Sequence, residues 1–172
     1  MKYQFLLMIT MLIICLSCKK AVFEDDYQQS YRTWLSFRDN SRNQYQYTKV
    51  FSSWSGSKTE YTITVKNGAV IRQEYKGFIM NYDIHQQELK ETWIETTDNI
   101  NTHHPYETAL TLDKVYIKAK NEWLKVNPDE NHIYFETQNR GMISSCGFVP
   151  KGCQDDCFQG IRITDIRSIS GS

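Results

Sequence analysis

The stretch YTITVKNGAVIRQEY, residues 61–75, predicts the fold more directly than any other part of the chain. Tyr61, Ile63 and Val65 alternate with threonines, which is the pattern of a strand with one buried face. A second β-rich run follows the dipeptide Asn67-Gly68. Because Asn and Gly tolerate the positive φ angles of a type I′ turn, we predict a β-hairpin with its turn at this dipeptide.

The residues before the hairpin predict one more strand. Tyr45 and Tyr47 alternate with polar residues, and Ser55-Gly56-Ser57 is typical of a turn. Residues 44–76 therefore predict a three-strand antiparallel meander.

Two segments have helical rather than strand periodicity. The first has apolar and aromatic residues at Tyr27, Tyr31, Trp34 and Leu35, and the second at Leu112, Val115, Tyr116, Ala119, Trp123 and Val126. Thr111 is a suitable cap for the second helix, and Asn127-Pro128 is expected to end it.

Further strands are expected after each helix. Leu89 and Trp93 indicate a fourth strand, residues 133–137 and 142–148 flank a turn at Asn139-Arg140-Gly141, and Ile161 and Ile163 mark a last strand. The order predicts an α+β fold: an antiparallel meander sheet with two helices packed on one face. Two αβββ halves are one interpretation of this order, and chance similarity is the other.

Several of these segments together resemble a known family. They are Trp34, Tyr45-Gln46-Tyr47, residues 63–70, Thr111-Leu112-Asp113-Lys114-Val115 and Ile133-Tyr134-Phe135. This set resembles DUF6174, a family of small secreted or lipid-anchored bacterial proteins, over most of residues 31–170. Where that family usually has Gly-Tyr-Pro in its closing hairpin, this chain has Arg140-Gly141-Met142. The resemblance implies fold and location and carries no activity, cofactor or catalytic residue.

The N-terminus has the features of a bacterial lipoprotein signal. A basic start precedes an apolar run too short to span a bilayer, and Leu16-Ser17-Cys18 resembles a lipobox. We expect residues 1–17 to be a signal peptide, Cys18 to carry the lipid, 18–26 to be a tether and 27–170 to be a single domain. The alternative is a cleaved signal peptide with an accidental cysteine.

Charge and N-terminal pattern limit the partners and the location. Lys plus Arg equals Asp plus Glu, 20 each, and loss of Lys2 leaves the mature chain about one unit negative. Such a balance argues against a nucleic-acid partner. The expected partner is a membrane, reached through the lipid on Cys18. Lys19 after that cysteine is similar to outer-membrane sorting, which places the protein in the cell envelope, periplasmic or surface-exposed.

Three cysteines remain for the folded domain: Cys146, Cys153 and Cys157. Export favours a disulfide, and Cys146–Cys157 is the preferred pair because two flanking strands bring these positions together. Cys153–Cys157 and Cys146–Cys153 are the fallback pairs. Two rival interpretations are a metal site formed with a histidine, and a nucleophilic cysteine activated by His103, His104 or His132.

Other candidate sites are weaker. Asp155-Asp156 suits either a cation site or a solvated loop tip, and His103-His104-Pro105 suits either a metal site or an exposed loop; the loop is favoured in both cases. The Tyr and Trp residues suit a core better than a sugar-stacking surface. No cofactor or metal is expected. We therefore predict a non-catalytic binding or interaction module, with a glycan binder and a cysteine-dependent enzyme as alternatives.

Overall fold

The computed structural model describes residues 23–104 and 108–169. The elements in chain order are α1 (Glu24–Asn40), β1 (Gln44–Ser52), β2 (Lys58–Lys66), β3 (Ala69–Asn81), β4 (Gln86–Thr96), α2 (Leu112–Lys118), β5 (Asn131–Glu136), β6 (Ser145–Pro150) and β7 (Gln159–Ser168). The predicted signal peptide and Cys18 lie outside the described residues. Helix α1 begins at Glu24, within the range 18–26 that is predicted to be a tether.

Within the described residues, seven strands form one antiparallel sheet in the order β4-β3-β2-β1-β7-β6-β5. Successive strands of each meander pair with each other, and β1 pairs with β7 where the two meanders meet. The prediction of an α+β fold with an antiparallel meander is confirmed. The first meander has four strands and the second has three, so the halves are not equal αβββ units.

The turn between β2 and β3 lies at Asn67-Gly68, as predicted. Both residues have positive φ, 51° and 76°, as a type I′ turn requires. A Cβ added to Gly68 would lie 3.1 Å from Nδ2 of Asn43. The fourth strand is also present, and Trp93 on β4 is paired with Tyr75 on β3.

A set of buried rings, which we call the inner aromatic layer, comprises Trp34, Tyr45, Tyr47 and Tyr116. None of the four is more than 1% exposed. The ring of Trp34 lies 5.0 Å from that of Tyr45 and 6.2 Å from that of Tyr116, measured between centroids. Aromatic side chains contribute the largest buried areas in a small core, so this layer accounts for much of the stability.

Hydrogen bonds fix the orientation of these rings. The Tyr45 hydroxyl accepts from the backbone N–H of Leu112 at 2.8 Å, and the Tyr47 hydroxyl donates to a carbonyl just before α2 at 2.7 Å. The indole N–H of Trp34 donates to a carboxylate in the first turn of α2 at 3.0 Å. Burial raises the pKa of Tyr45 and Tyr47, so both hydroxyls keep their protons.

Helix α2 is shorter than the predicted helix, which extended to Val126. Thr111 caps it, and its hydroxyl accepts a hydrogen bond from the third helical N–H at 3.4 Å. The chain then continues as a π-helical turn, Ala119–Trp123, closed by a hydrogen bond from the Leu124 N–H to the carbonyl of residue 119. A π turn contains more residues than an α-helical turn, so the apolar stripe is interrupted and Trp123 is only half-buried.

Two glycines face each other in register in the second meander, Gly147 on β6 and Gly160 on β7. A Cβ at Gly160 would overlap the carbonyl of Cys146. A Cβ at Gly147 would lie 2.7 Å from the Phe158 ring. Phe158 therefore occupies the space that the missing side chain of Gly147 leaves. Strand β6 begins at Ser145, three residues later than predicted.

Candidate functional site

A cavity of about 470 Å³, which we call the cleft, opens between β1, β7 and the α2 region. Its described lining residues are Tyr47, Lys49, Val50, Phe51, Thr108, Leu110, Lys118, Trp123, Phe158, Gly160, Ile161 and Arg162. The volume falls within the range of small-molecule sites, about 300–1,000 Å³. Trp123, which the sequence placed in the core, packs against the edge of the core and also lines this cavity.

The charged residues that line the cleft are positive. Three of its described lining residues are cationic, Lys49, Lys118 and Arg162, and none of the described ones is acidic. Lys118 forms an ion pair with Glu122 at 3.0 Å, but both side chains are largely exposed, so water screens the pair. The chain as a whole is neutral, so this local excess of positive charge is a property of the cleft.

Cations lie over aromatic rings at the cleft. The Arg162 guanidinium is 4.0 Å from the centroid of Phe158, and the Lys118 ammonium is 5.8 Å from that of Trp123. Lys49 lies 4.5 Å from the ring of Tyr61, the residue opposite it on β2. Such contacts contribute about 0.5–1 kcal/mol each at exposed sites and hold the cations in place.

Arg162 is the most available of these groups. Its guanidinium stacks on Phe158 and has neither a hydrogen bond nor an ion pair within the part of the chain that the structure describes. Five N–H donors in a fixed plane suit the two oxygens of a carboxylate. The sequence held a signal for this arrangement, because Phe158 just before β7 and Gly160 and Arg162 within it are spaced two residues apart.

The disulfide joins Cys153 and Cys157, so the preferred prediction of Cys146–Cys157 is wrong and a fallback pair is present. Cys146 lies in β6 opposite Ile161 and is completely buried, so its sulfur does not reach the loop. Burial raises the pKa of its thiol to about 12. The preferred pair would have left Cys153 as the free thiol, whereas the free thiol of the described residues is Cys146.

The disulfide loop borders a second cavity of about 260 Å³, which we call the loop cavity. It shares Phe51, Phe158 and Arg162 with the cleft, and residues 153–157 form its other wall. The two cavities therefore adjoin across a common aromatic and cationic wall.

Asp156 holds the disulfide loop against the β1–β2 loop. Its carboxylate accepts hydrogen bonds from the hydroxyl of Ser53 at 2.5 Å and from the N–H of Trp54 at 3.2 Å. The neighbouring Asp155 is exposed and lines the loop cavity. Across residues 23–104 and 108–169, no group of three His, Cys, Asp or Glu side chains is placed to hold a metal ion.

His103 and His104 lie away from the cysteines and the cleft, against rings of the first meander. His104 shares a hydrogen bond of 2.8 Å with the Tyr61 hydroxyl, and the ring of His103 stacks on Trp93 at 4.8 Å. They cover an aromatic row formed by Tyr61, Tyr75 and Trp93 on three adjacent strands. Pro105 of the predicted His-His-Pro motif lies outside the described residues.

A buried carboxylate that the sequence did not reveal holds this loop. Glu95 is fully buried and accepts hydrogen bonds from the backbone N–H groups of Asn101, Thr102 and His103. Burial alone would raise its pKa, but these bonds and the His103 ring outweigh burial, so the pKa lies below its ordinary value. Its position in a polar strand gave no sign of burial.

Comparison with known proteins finds no match for this chain. No protein-family model matches the chain, and neither a curated protein nor a solved structure matches it. The resemblance to DUF6174 stays a prediction. None of the helices in residues 23–104 and 108–169 has the length and apolar character needed to span a bilayer.

Proposed function

We propose that this chain is a lipid-anchored protein of the bacterial cell envelope, and that its folded domain binds a ligand without transforming it. The anchor is the lipid on Cys18, which holds the protein at the outer membrane, facing the periplasm or the surface. The binding site is the cleft. In the fold that carries it, α1 and α2 cover one face of the sheet, supported by their contacts with Tyr45 through Trp34 and Leu112.

One observation carries the proposal: the cleft presents Arg162 stacked on Phe158, without a hydrogen-bond partner among the described residues. Arg167 on the same strand differs, because its guanidinium forms an ion pair with Asp165. An unpaired guanidinium in a cavity of ligand size, with further cations around it, favours an anionic ligand.

The chemistry of the described cysteines argues against the alternative of a cysteine-dependent enzyme. Cys153 and Cys157 are joined to each other, and the thiol of Cys146 is buried with a raised pKa. A nucleophilic cysteine needs an accessible thiolate and a nearby base, and no cysteine of the described residues is arranged in this way.

A glycan is the second candidate ligand, favoured by the rings around the cleft. Phe51, Trp123 and Phe158 all line it, and Phe51 is 39% exposed. Aromatic faces are suitable surfaces for the C–H face of a sugar ring.

Binding at the cleft is tested by nuclear magnetic resonance titration of the mature protein with soluble organic anions and their neutral counterparts. We expect anions to shift the signals of cleft residues, and Arg162→Gln to abolish those shifts. Arg167→Gln is the matched control, because that arginine lies on the same strand away from the cleft. If no anion perturbs the cleft, the proposed binding role is wrong.

The anchor is tested separately by labelling cells with radioactive palmitate. Cys18→Ala should give an unlabelled protein that is unprocessed or released into the soluble fraction. Cys15→Ala, three residues upstream in the apolar run, should remain labelled. Label in the Cys18→Ala protein would contradict the anchor.

A further inference from the structure

Resting on the proposed function, we propose that the ligand is an oligosaccharide in which a carboxylate-bearing sugar is joined to a neutral sugar. The acidic sugar occupies the cleft and the neutral sugar occupies the loop cavity. The inference follows from the different charges of the two adjoining cavities, which share Arg162. The cleft adds Lys49 and Lys118, and the loop cavity adds Asp155 and Asp156.

The cleft selects the carboxylate. Arg162 offers a planar pair of N–H donors, and its stack on Phe158 fixes that plane before a ligand arrives. Lys118, over Trp123, adds a second positive charge from the α2 side. A carboxylate placed between them gains charge-assisted hydrogen bonds, which are roughly twice as strong as neutral ones.

The loop cavity disfavours a second negative charge, because Asp155 and Asp156 outnumber the shared Arg162 in its lining. Asp155 lines it with an exposed carboxylate, and that carboxylate has no hydrogen-bond partner within the described ranges. A carboxylate accepts hydrogen bonds only, so the complementary group is a donor such as a sugar hydroxyl. Ionised fatty acids and unsubstituted aryl acids carry no hydrogen-bond donor, whereas an acid charged on every unit is repelled here.

The wall between the cavities suits sugar rings. Phe51 and Phe158 belong to both cavities, and Trp123 lies farther into the cleft. Rings at these places offer apolar faces for successive sugar units, while the cavity edges provide polar groups. Because the cavities adjoin, a ligand longer than one ring fills both.

The experiment measures binding to the mature protein by calorimetry with a hyaluronan tetrasaccharide, in which glucuronic acid alternates with N-acetylglucosamine. Its matched control is the same tetrasaccharide with each carboxyl reduced to an alcohol. A fully acidic oligogalacturonate and inorganic phosphate are the other two probes. We expect the hyaluronan fragment to bind best, and carboxyl reduction to weaken binding about tenfold or more.

Two substitutions separate the roles of the cavities. Arg162→Gln should weaken binding of the hyaluronan fragment about tenfold or more. Arg162→Lys keeps the charge without the planar donors, so its affinity should lie between those of the natural protein and Arg162→Gln. Asp155→Asn should bind the fully acidic oligogalacturonate more tightly than the natural protein does, because a repulsion is removed. Arg167→Gln should change neither affinity, and thermal melting checks that each variant is folded.

The outcomes distinguish this inference from the proposed function. The proposal of an acidic-neutral saccharide is overturned if the carboxyl-reduced fragment binds as tightly as the natural one. It is also overturned if phosphate or oligogalacturonate binds the natural protein more tightly. In both cases the proposal that the cleft binds a ligand still holds. An Asp155→Asn variant with unchanged preference overturns the role of the loop cavity. If neither these probes nor other organic anions bind, the inference and the proposed function both fail.

Discussion

The inner aromatic layer and the cleft use aromatic rings in different ways. In the inner aromatic layer every ring is buried, and a hydrogen bond holds its polar atom. The cleft rings Phe158 and Trp123 are half-buried, and each has a cation over one face. The first set cannot change contacts without disturbing helix and sheet together. The second set holds cationic side chains over its rings at the border of an open cavity, where a ligand can reach them. Aromatic residues therefore support the fold in one region and form a binding surface in the other.

The largest effect on stability is expected in the inner layer. Trp34→Ala removes the largest fully buried side chain and the hydrogen bond to Asp113, so the free energy of unfolding should fall by about 3–5 kcal/mol. Urea denaturation followed by circular dichroism measures it. The control is Trp54→Ala, whose side chain is 75% exposed and should cost no more than about 0.5 kcal/mol. Equal costs for both would remove the distinction between buried and exposed rings.

An intermediate effect is expected at Glu95, whose loop covers the row of Tyr61, Tyr75 and Trp93. Glu95→Gln weakens charged hydrogen bonds to three backbone donors and should cost about 2 kcal/mol at neutral pH. Because the pKa of Glu95 is lowered in the folded state, its contribution is complete well above pH 4.5 and is lost as the pH falls through the folded pKa. The loop should therefore open in acid.

Tryptophan fluorescence and unfolding curves between neutral and acidic pH test this. The natural protein should lose stability below pH 4.5 more steeply than Glu95→Gln does. Glu91→Gln, at an exposed position on the same strand, should keep the natural pH profile. Parallel profiles for the natural protein and Glu95→Gln would show that this carboxylate does not hold the loop.

A smaller effect is expected at the hairpin turn, which lies away from the cleft. Gly68→Val places a β-branched residue at a φ of 76° and should cost about 1–2 kcal/mol. Gly68→Asn, which tolerates this region better, should cost less. Ligand affinity at the cleft should stay unchanged in both folded variants. Thermal melting tests the order, and a valine variant as stable as the asparagine one would contradict it.

Local sequence patterns predicted the parts of the fold that local chemistry determines. Alternation identified Tyr45 and Tyr47 as buried, and Asn67-Gly68 located the turn, because strand period and positive φ are properties of a few neighbouring residues. The ends of several helices and strands differ from the predicted ends by a few residues, because hydrogen bonding at element ends depends on the whole structure.

The features that sequence missed depend on distant parts of the chain. The sulfur partner of Cys157 depends on which face of β6 Cys146 occupies, and that face is set by pairing with β7. Glu95 is buried only because a loop folds back onto it. The cleft itself needs β1, β7 and the π turn together, so no single stretch of sequence contains it.

The smallest effect on stability is expected at Trp123, where the comparison between the two sets of rings is sharpest. The side chain is half-buried, so Trp123→Ala should lower the free energy of unfolding by about 1 kcal/mol or less. The same change removes a ring from the cleft and the surface on which Lys118 lies, so anion affinity should fall several-fold. Trp123→Phe keeps a ring and should retain most of that affinity. The decisive quantity is the ratio of the two losses. Trp34→Ala should lose mainly stability, and Trp123→Ala should lose mainly affinity. If the Trp123→Ala protein is strongly destabilised but binds anions normally, this ring serves the core and not the cleft.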